Sequence, residues 1–278
     1  MRVVAVVLGG GTGQRLGSAL PKQLLTLGGR TLIEHCVAAF ERAPGVDEIV
    51  VVMAPGYTGQ VRAMLADRGY RKVSAVIEGG VTRPDSTRAA LAAIARACGD
   101  PGDCGVLLHD AARPLVDQRI IADCVAALGA HQAAGVAVPA SDTIVVTDNG
   151  VMHSMPRRET LLRCQTPQCF RLPVIARAHD LAAADPEAPT FAPTDDCGVV
   201  LRYLPGVDVH IVPGSERNLK ITYPQDLAVA EALLAPGGRP PQTPPRGHGP
   251  GGRRCCPGRL WRRAQTPPRG HGPGGRRC

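Results

Sequence analysis

The stretch LGGGTGQRLGSALPKQL, residues 8–24, decides how the chain is read. A short apolar run precedes it, and a cluster of glycines follows at once. Gly9, Gly10, Gly11 and Gly13 carry no Cβ, so backbone N–H groups there can come close to phosphate oxygens. Arg15 and Lys22 then bring full positive charge to a place where negative charge builds up in phosphoryl or nucleotidyl transfer. The loop is not a P-loop, because no Gly-Lys-Ser/Thr ends it. It is not a dinucleotide fingerprint either, because no glycine stands at 14 or 16. The alternative that spacing leaves open is a plain glycine-rich turn after the first strand of an α/β sheet.

The chain on either side of this loop alternates strand and helix patterns. Val3–Leu8, Glu48–Met53, Val73–Ile77, Gly105–His109, Gly135–Val138 and Val207–Val212 are short and rich in Val and Ile, as strands covered on both faces should be. Helical patterns lie between them. Thr31 with Glu34 predicts a capping box ahead of Leu32–Arg42. Ser86 is placed to cap Thr87–Cys98, and Thr222, Pro224 and Gln225 open a last helix that runs to about Leu234. Repeated β-α-β order predicts an α/β, Rossmann-like, mostly parallel sheet with helices on both faces. Ligands in such sheets bind beyond the carboxyl ends of the strands. Both the glycine loop and the HDAARP segment, 109–114, reach that edge.

Composition divides the chain in two. The protein carries 32 Lys and Arg against 24 Asp and Glu, a net charge of +8. Residues 236–278 hold ten arginines and no acid, so residues 1–235 keep 22 basic and 24 acidic side chains, a net of −2. The basic balance belongs to the tail, and the body gives no electrostatic reason to expect nucleic acid. In the tail, QTPPRGHGPGGRRC occurs at 242–255 and again, identically, at 265–278. Its Pro, Gly and Arg cannot bury enough surface to offset chain entropy, so a disordered tail is expected. An Arg-rich arm for RNA or another anionic surface is the alternative.

Seven cysteines lie in the body, with no Cys-x-x-Cys pair, which suits small buried hydrophobes in a reducing, cytoplasmic setting. MRVVAVVLGGG is too short an apolar run for a signal peptide. No segment approaches the ~18 uninterrupted apolar residues of a membrane span.

Residues 139–170 break the alternation. They read as extended pieces about a turn at Asp148-Asn149-Gly150, a projecting β-arm on a body of residues 1–235. An arm with few contacts of its own is naturally stabilised by a second subunit; a long surface hairpin without a partner is the alternative. Gly79-Gly80-x-x-Arg83-x-x-Ser86 suits recognition of a base edge or ribose, or is a plain loop and helix cap. Asp110 and Arg113 stand just beyond a buried strand. Asp142-Thr143, Arg157, Arg158, Thr166 and Lys220 are candidates to hold a second phosphate.

GGGTGQRLG…PKQL, TLIEH, GG..R..S, HDAARP, SDT, QTPQ.F and NLKITYPQDL stand in an order and spacing that resembles the 2-C-methyl-D-erythritol 4-phosphate cytidylyltransferase family over about residues 1–234. The resemblance implies a nucleotidyltransferase that joins CTP to a sugar-alcohol phosphate and releases pyrophosphate, with Mg²⁺ or another divalent cation held mainly by the CTP phosphates. It implies that Arg15 and Lys22 stabilise the transition state, and that Gly9, Gly10, Gly11, Gly80 and Ser86 bind the nucleotide. It assigns Asp110, Arg113 and Thr143 to the sugar phosphate, with Thr166 beside them. Arg158 and Lys220 position the acceptor, and Arg157 stays open as the working arginine. It further implies a homodimer through the β-arm. Ribitol-5-phosphate cytidylyltransferase has a similar skeleton and is the rival reading; a CTP-binding domain without turnover is another. Val81 and Thr82 stand where the family usually has an acidic residue. The 43 tail residues are too few for a second catalytic domain, so a monofunctional enzyme is expected.

Overall fold

A computed structural model describes residues 1–10, 20–186 and 195–235. In chain order the elements are β1 (Arg2–Gly9), β2 (Thr26–Leu27), β3 (Arg30–Thr31), α1 (Leu32–Glu41), β4 (Glu48–Met53), α2 (Thr58–Asp67), β5 (Val73–Glu78), α3 (Arg83–Ala97) and β6 (Cys104–Asp110). There follow α4 (Gln118–Ala130), β7 (Ala133–Pro139), β8 (Val146–Asp148), β9 (Val151–Ser154), β10 (Leu162–Arg171), α5 (Leu172–Ala184), α6 (Asp196–Tyr203), β11 (Val209–Pro213) and α7 (Pro224–Leu234). Seven strands form one sheet in the order β11-β7-β10-β6-β1-β4-β5. β1 lies parallel to β4 on one side and to β6 on the other, and β5 extends the row in parallel. The expected mostly parallel α/β sheet is therefore the observed one.

The core explains why β1 reads as an unbroken apolar run. Alternate side chains enter opposite layers. Val3, Ala5 and Val7 pack with Ile33, Val37 and Phe40 of α1 and Ile120 and Leu128 of α4. Val4, Val6 and Leu8 pack with Leu91 and Ile94 of α3 and Leu172 and Ile175 of α5. Each such Val, Leu, Ile or Phe side chain contributes about 1.5–3 kcal/mol on burial, so both faces demand apolar residues and neither tolerates a charge.

Three expectations change. First, α3 starts earlier than expected. Its cap is Thr82, whose hydroxyl accepts from the Asp85 N–H while Asp85 answers to the Thr82 backbone, a capping box; Ser86 lies inside the first turn and donates to the Thr82 carbonyl at 3.1 Å. Second, α7 begins at Pro224 with Tyr223 as its cap residue, so Thr222 lies outside the helix it was expected to open. Third, the extended segment at 139–170 is not one arm. β10 runs antiparallel to β6 inside the main sheet, with Gln168 opposite Leu108 and Phe170 opposite Val106. Its polar letters and Pro167 disguise it. Gln165, Thr166 and Gln168 are nonetheless buried, because each meets a hydrogen-bond partner from a distant loop or strand.

Pro139–Leu162 forms a compact unit of its own. β8 and β9 pair antiparallel about Asn149 and Gly150, whose φ values of 46° and 80° are those of a tight hairpin turn. The base is closed by Ala140 N–H donating to the Leu161 carbonyl at 3.1 Å.

The capping box of α1 forms as expected, with Thr31 accepting from Glu34 N–H at 3.3 Å. Replacing Thr31 with Ala should lower the unfolding free energy by about 1 kcal/mol in urea titration; an unchanged midpoint would show that Arg68 and Glu34 hold this turn without the cap.

Candidate active site

A cleft opens at the carboxyl ends of the sheet strands. Gly10 borders it just after β1, Val81 and Ser86 enter from the loop and first turn after β5, and Asp110 ends β6. Lys22 and Lys220 complete the ring. The site therefore stands where strand order reverses about β1, the place an open α/β sheet leaves for a ligand. At Gly10 a Cβ would come within 2.9 Å of Ser86 Oγ, so the hydroxyl would have to turn away. At Gly80 a Cβ would stand 2.2 Å from Asp85 Cβ. Gly10 thus borders the start of α3, and Gly80 lets the loop after β5 fold tightly onto the first turn of that helix.

Lys22 sits on a single turn, Lys22–Leu24, that follows Pro21. Its Nζ donates to the Ile221 carbonyl at 3.2 Å, and Ile221 N–H donates to the Ala112 carbonyl at 2.8 Å. Residues from opposite ends of the chain are thus laced to the exit of β6. Lys220, next to Ile221, places Nζ 2.8 Å from Asp110 Oδ2. Arg83 reaches the other oxygen of Asp110 at 3.6 Å through Nε, and binds Asp196 at 2.6 Å through Nη1. Burial by itself would raise the Asp110 carboxyl. Lys220, then Arg83, more than offset this and hold it well below the usual carboxylate range. Burial would likewise weaken the charge on Arg83, yet Asp196 and Asp110 strengthen it.

Behind the cleft, Thr166 and His109 fix the backbone. Thr166 Oγ1 accepts from Asp110 N–H at 3.1 Å and lies 3.0 Å from His109 Nδ1. His109 Nε2 faces the Arg113 carbonyl at 3.0 Å, so Nε2 carries the proton and Nδ1 accepts from the Thr166 hydroxyl. The ring is fully buried against Phe40, and burial pushes its pKa down to about 4.

Of the residues singled out from sequence, Gly10, Lys22, Ser86, Asp110 and Lys220 line the cleft. Gly9 is the last residue of β1, where a Cβ would stand 2.8 Å from Met53 Sδ and 2.9 Å from the Val52 carbonyl oxygen. Gly80 shapes the loop entering α3. Thr166 braces Asp110 through its backbone. Arg113 is turned inward: Nη1 donates to the Asn218 carbonyl at 2.8 Å and Nη2 to the Cys164 carbonyl at 3.3 Å. Thr143, Arg157 and Arg158 belong to the arm unit. There Arg158 donates to the Ser141 carbonyl at 3.3 Å and Arg157 pairs with Glu159 at 3.7 Å. Gly11, Gly13, Arg15 and the tail lie outside the described residues. Sequence reasoning missed Asp196 as the partner of Arg83; its one signal was the acidic pair Asp195-Asp196 just ahead of an apolar helix.

The sheet topology and a cation-ringed cleft at its carboxyl edge define an α/β nucleotidyltransferase-like protein. A sequence model of the 2-C-methyl-D-erythritol 4-phosphate cytidylyltransferase (IspD) family matches residues 3–236, and the chain belongs to that family. The protein of that name from Thermobifida fusca is 52% identical over 85% of this chain and 94% of its own length. The solved structure of the Thermus thermophilus protein of the same name is 32% identical with a TM-score of 0.64, covering 84% of this chain and 98% of that one. A bifunctional ribulose 5-phosphate reductase/CDP-ribitol pyrophosphorylase from Haemophilus influenzae is 36% identical over 83% of this chain and 48% of its own length.

His109 makes a pH prediction. Its folded pKa of about 4 lies below its ordinary value of 6.5, so the unfolded state takes the proton first as pH falls. This single group should remove about 2–3 kcal/mol of stability between roughly pH 7 and pH 4.5. Urea titration of the His109→Asn variant should show a correspondingly flatter loss; an equal loss in both proteins refutes the assignment.

Proposed function

We propose that this protein transfers CMP from CTP to 2-C-methyl-D-erythritol 4-phosphate and releases pyrophosphate. The observation that carries the reading is the meeting of Lys22, Lys220 and Arg83 around a glycine-edged cleft at the end of β1, in a chain of this family. The acceptor phosphate attacks the α-phosphorus of CTP. Both reactants are anions, so the protein's part is to align them and to neutralise charge that grows between them. Lys22, on a turn tied to Ile221, offers its ammonium to the phosphates in transfer. Arg15 belongs to the same role by resemblance. Lys220, held by Asp110, offers a second positive charge to the acceptor. Ser86 and the backbone at Gly10 and Gly80 take the nucleoside side.

The cleft suits a cation carried by the nucleotide better than one held by the protein. Among the described residues Asp110 is the carboxylate that borders it, and both its oxygens are engaged by Lys220 and Arg83. Oxygen-rich triphosphate is a natural ligand set for Mg²⁺, which when bound supplies charge neutralisation across the phosphates. Asp110 would then keep its place beside the two cationic side chains.

A homodimer and a cytoplasmic location belong to the same proposal. The arm unit exposes Val146, Val151, Met152 and Met155, apolar side chains that a second copy of the chain would cover. In this reading Thr143 and Arg158 serve the neighbouring subunit. The seven body cysteines stand as free thiols, which suits a reducing compartment, and no helix among the described residues is long and apolar enough to cross a membrane. The likeness to the CDP-ribitol pyrophosphorylase keeps ribitol 5-phosphate as the competing acceptor.

Pyrophosphate release from CTP decides among these readings: rapid release with methylerythritol phosphate and slow release with ribitol 5-phosphate is expected. The reverse preference would transfer the assignment to the ribitol enzyme, and CTP binding without release would make this a binding domain. The Lys22→Ala variant should lose at least ~10²-fold in kcat while its thermal transition stays in place; near-normal kcat removes Lys22 from the machinery. In sedimentation the protein should have about twice its chain mass of 29.1 kDa. The Val151→Asp variant should shift it toward the single chain, whereas a monomeric parent protein refutes the arm-mediated dimer.

A further inference from the structure

Asp196 opens α6 and is 1% exposed, so its charge has no bulk water to share. Its Oδ1 lies 3.0 Å from His179 Nε2, on α5, and its Oδ2 lies 2.6 Å from Arg83 Nη1. The N–H groups of Asp196 and Cys197 both donate to Gln168 Oε1, at 2.9 and 3.1 Å, and Gln168 is on β10. The Asp196 backbone is therefore anchored by a sheet strand and its carboxylate by a packed helix. Arg83 spans the distance from this anchor to the cleft. At the cleft the arrangement is uneven: Lys220 makes the short contact to Asp110, 2.8 Å, and Arg83 the long one, 3.6 Å. Two carboxylates and two strong cations are shared along one line, and for Arg83 the buried contact is the closer.

We propose that Asp196 is a positioning residue for the cleft: by holding Arg83 back from Asp110, it leaves Asp110 to keep Lys220 at the cleft edge. The consequence for turnover rests on the cytidylyltransferase reading; the geometric claim does not. Without the Asp196 charge, Asp110 is the carboxylate within ion-pair distance that Arg83 keeps, and Asp195 acts on it only from farther away. Arg83 closes on Asp110 and displaces the Lys220 ammonium from it. Asp196 is buried and lies outside the lining of the cleft, so its loss should fall on the acceptor that Lys220 serves and spare the nucleotide side at Gly10 and Ser86.

The chain contains three lysines, Lys22, Lys72 and Lys220, which makes lysine labelling a direct readout. Lys72 donates to the Ala43 carbonyl at 2.7 Å and serves as the internal reference. In the folded protein, acetic anhydride labelling read by mass spectrometry should show Lys220 about fivefold more reactive in Asp196→Asn, with Lys72 unchanged. The KM for methylerythritol phosphate should rise about tenfold while that for CTP stays within about twofold. Arg83→Lys keeps a cation for Asp196 but shortens its reach, so Asp110 belongs to Lys220 alone and Lys220 labelling should fall below the parent value. Opposite signs for the two variants are the signature of the proposal; a merely structural role moves both the same way and Lys72 with them. If Asp196→Asn does not fold, Arg83→Lys decides, and unchanged or increased Lys220 labelling there overturns the proposal. Unchanged Lys220 labelling in a folded Asp196→Asn protein also overturns it. If labelling behaves as expected but no pyrophosphate is released with any acceptor, the positioning claim stands and the enzymatic reading falls.

Discussion

The ion pair between Asp110 and Lys220 is the contact on which the cleft depends. Asp110 ends a strand buried on both faces, so its backbone cannot shift without disturbing two cores. Its carboxylate is charged because Lys220 and Arg83 stand beside it, and they stand there because it is charged. Burying one charge alone would cost several kcal/mol. The three groups therefore hold one another, and they connect β6, the start of α3 and the segment before α7 at a single point.

The surrounding structure keeps that point rigid from behind. Thr166 takes the Asp110 N–H, His109 takes the Thr166 hydroxyl and donates to the Arg113 carbonyl, and Arg113 donates to the Asn218 carbonyl. This chain of hydrogen bonds runs through the buried junction of β6 and β10 and ends two residues from Lys220. A neutral, fully buried histidine fits it, because each ring nitrogen has one partner of the right kind. Rigidity of this kind is what alignment of two anionic reactants requires, since a small misplacement of a positioning group is costly in rate.

Much of the architecture could be read from single residues. Thr31 with Glu34 marked the start of α1, and six Val- and Ile-rich runs marked six strands of the sheet. Those signals are local: a cap acts within one turn, and a two-faced strand shows as an apolar run. β10 was not legible as a strand of the sheet, because Gln165, Thr166 and Gln168 look like surface letters until their partners are in place. Thr82 was overlooked as a cap for a different reason. Ser86 offered a plausible cap four residues later, and the competing box at Thr82 and Asp85 was decided by local geometry.

The sequence by itself determined the class of fold, the glycine-edged loop, and the identity of most polar residues that border the cleft. Those features are legible from residue types alone, because glycine frees the backbone for close approach and Lys and Arg carry charge in any setting. The tertiary structure alone decided which of those residues act together. Lys22 meets Ile221 across 199 positions of sequence, Asp110 divides itself between Lys220 and Arg83, and Arg83 is anchored by Asp196 from another helix. Arg113, a cation in a prominent motif, turns inward to two carbonyls. Pairing of charges depends on distance and burial, and neither is a property of residues taken one at a time.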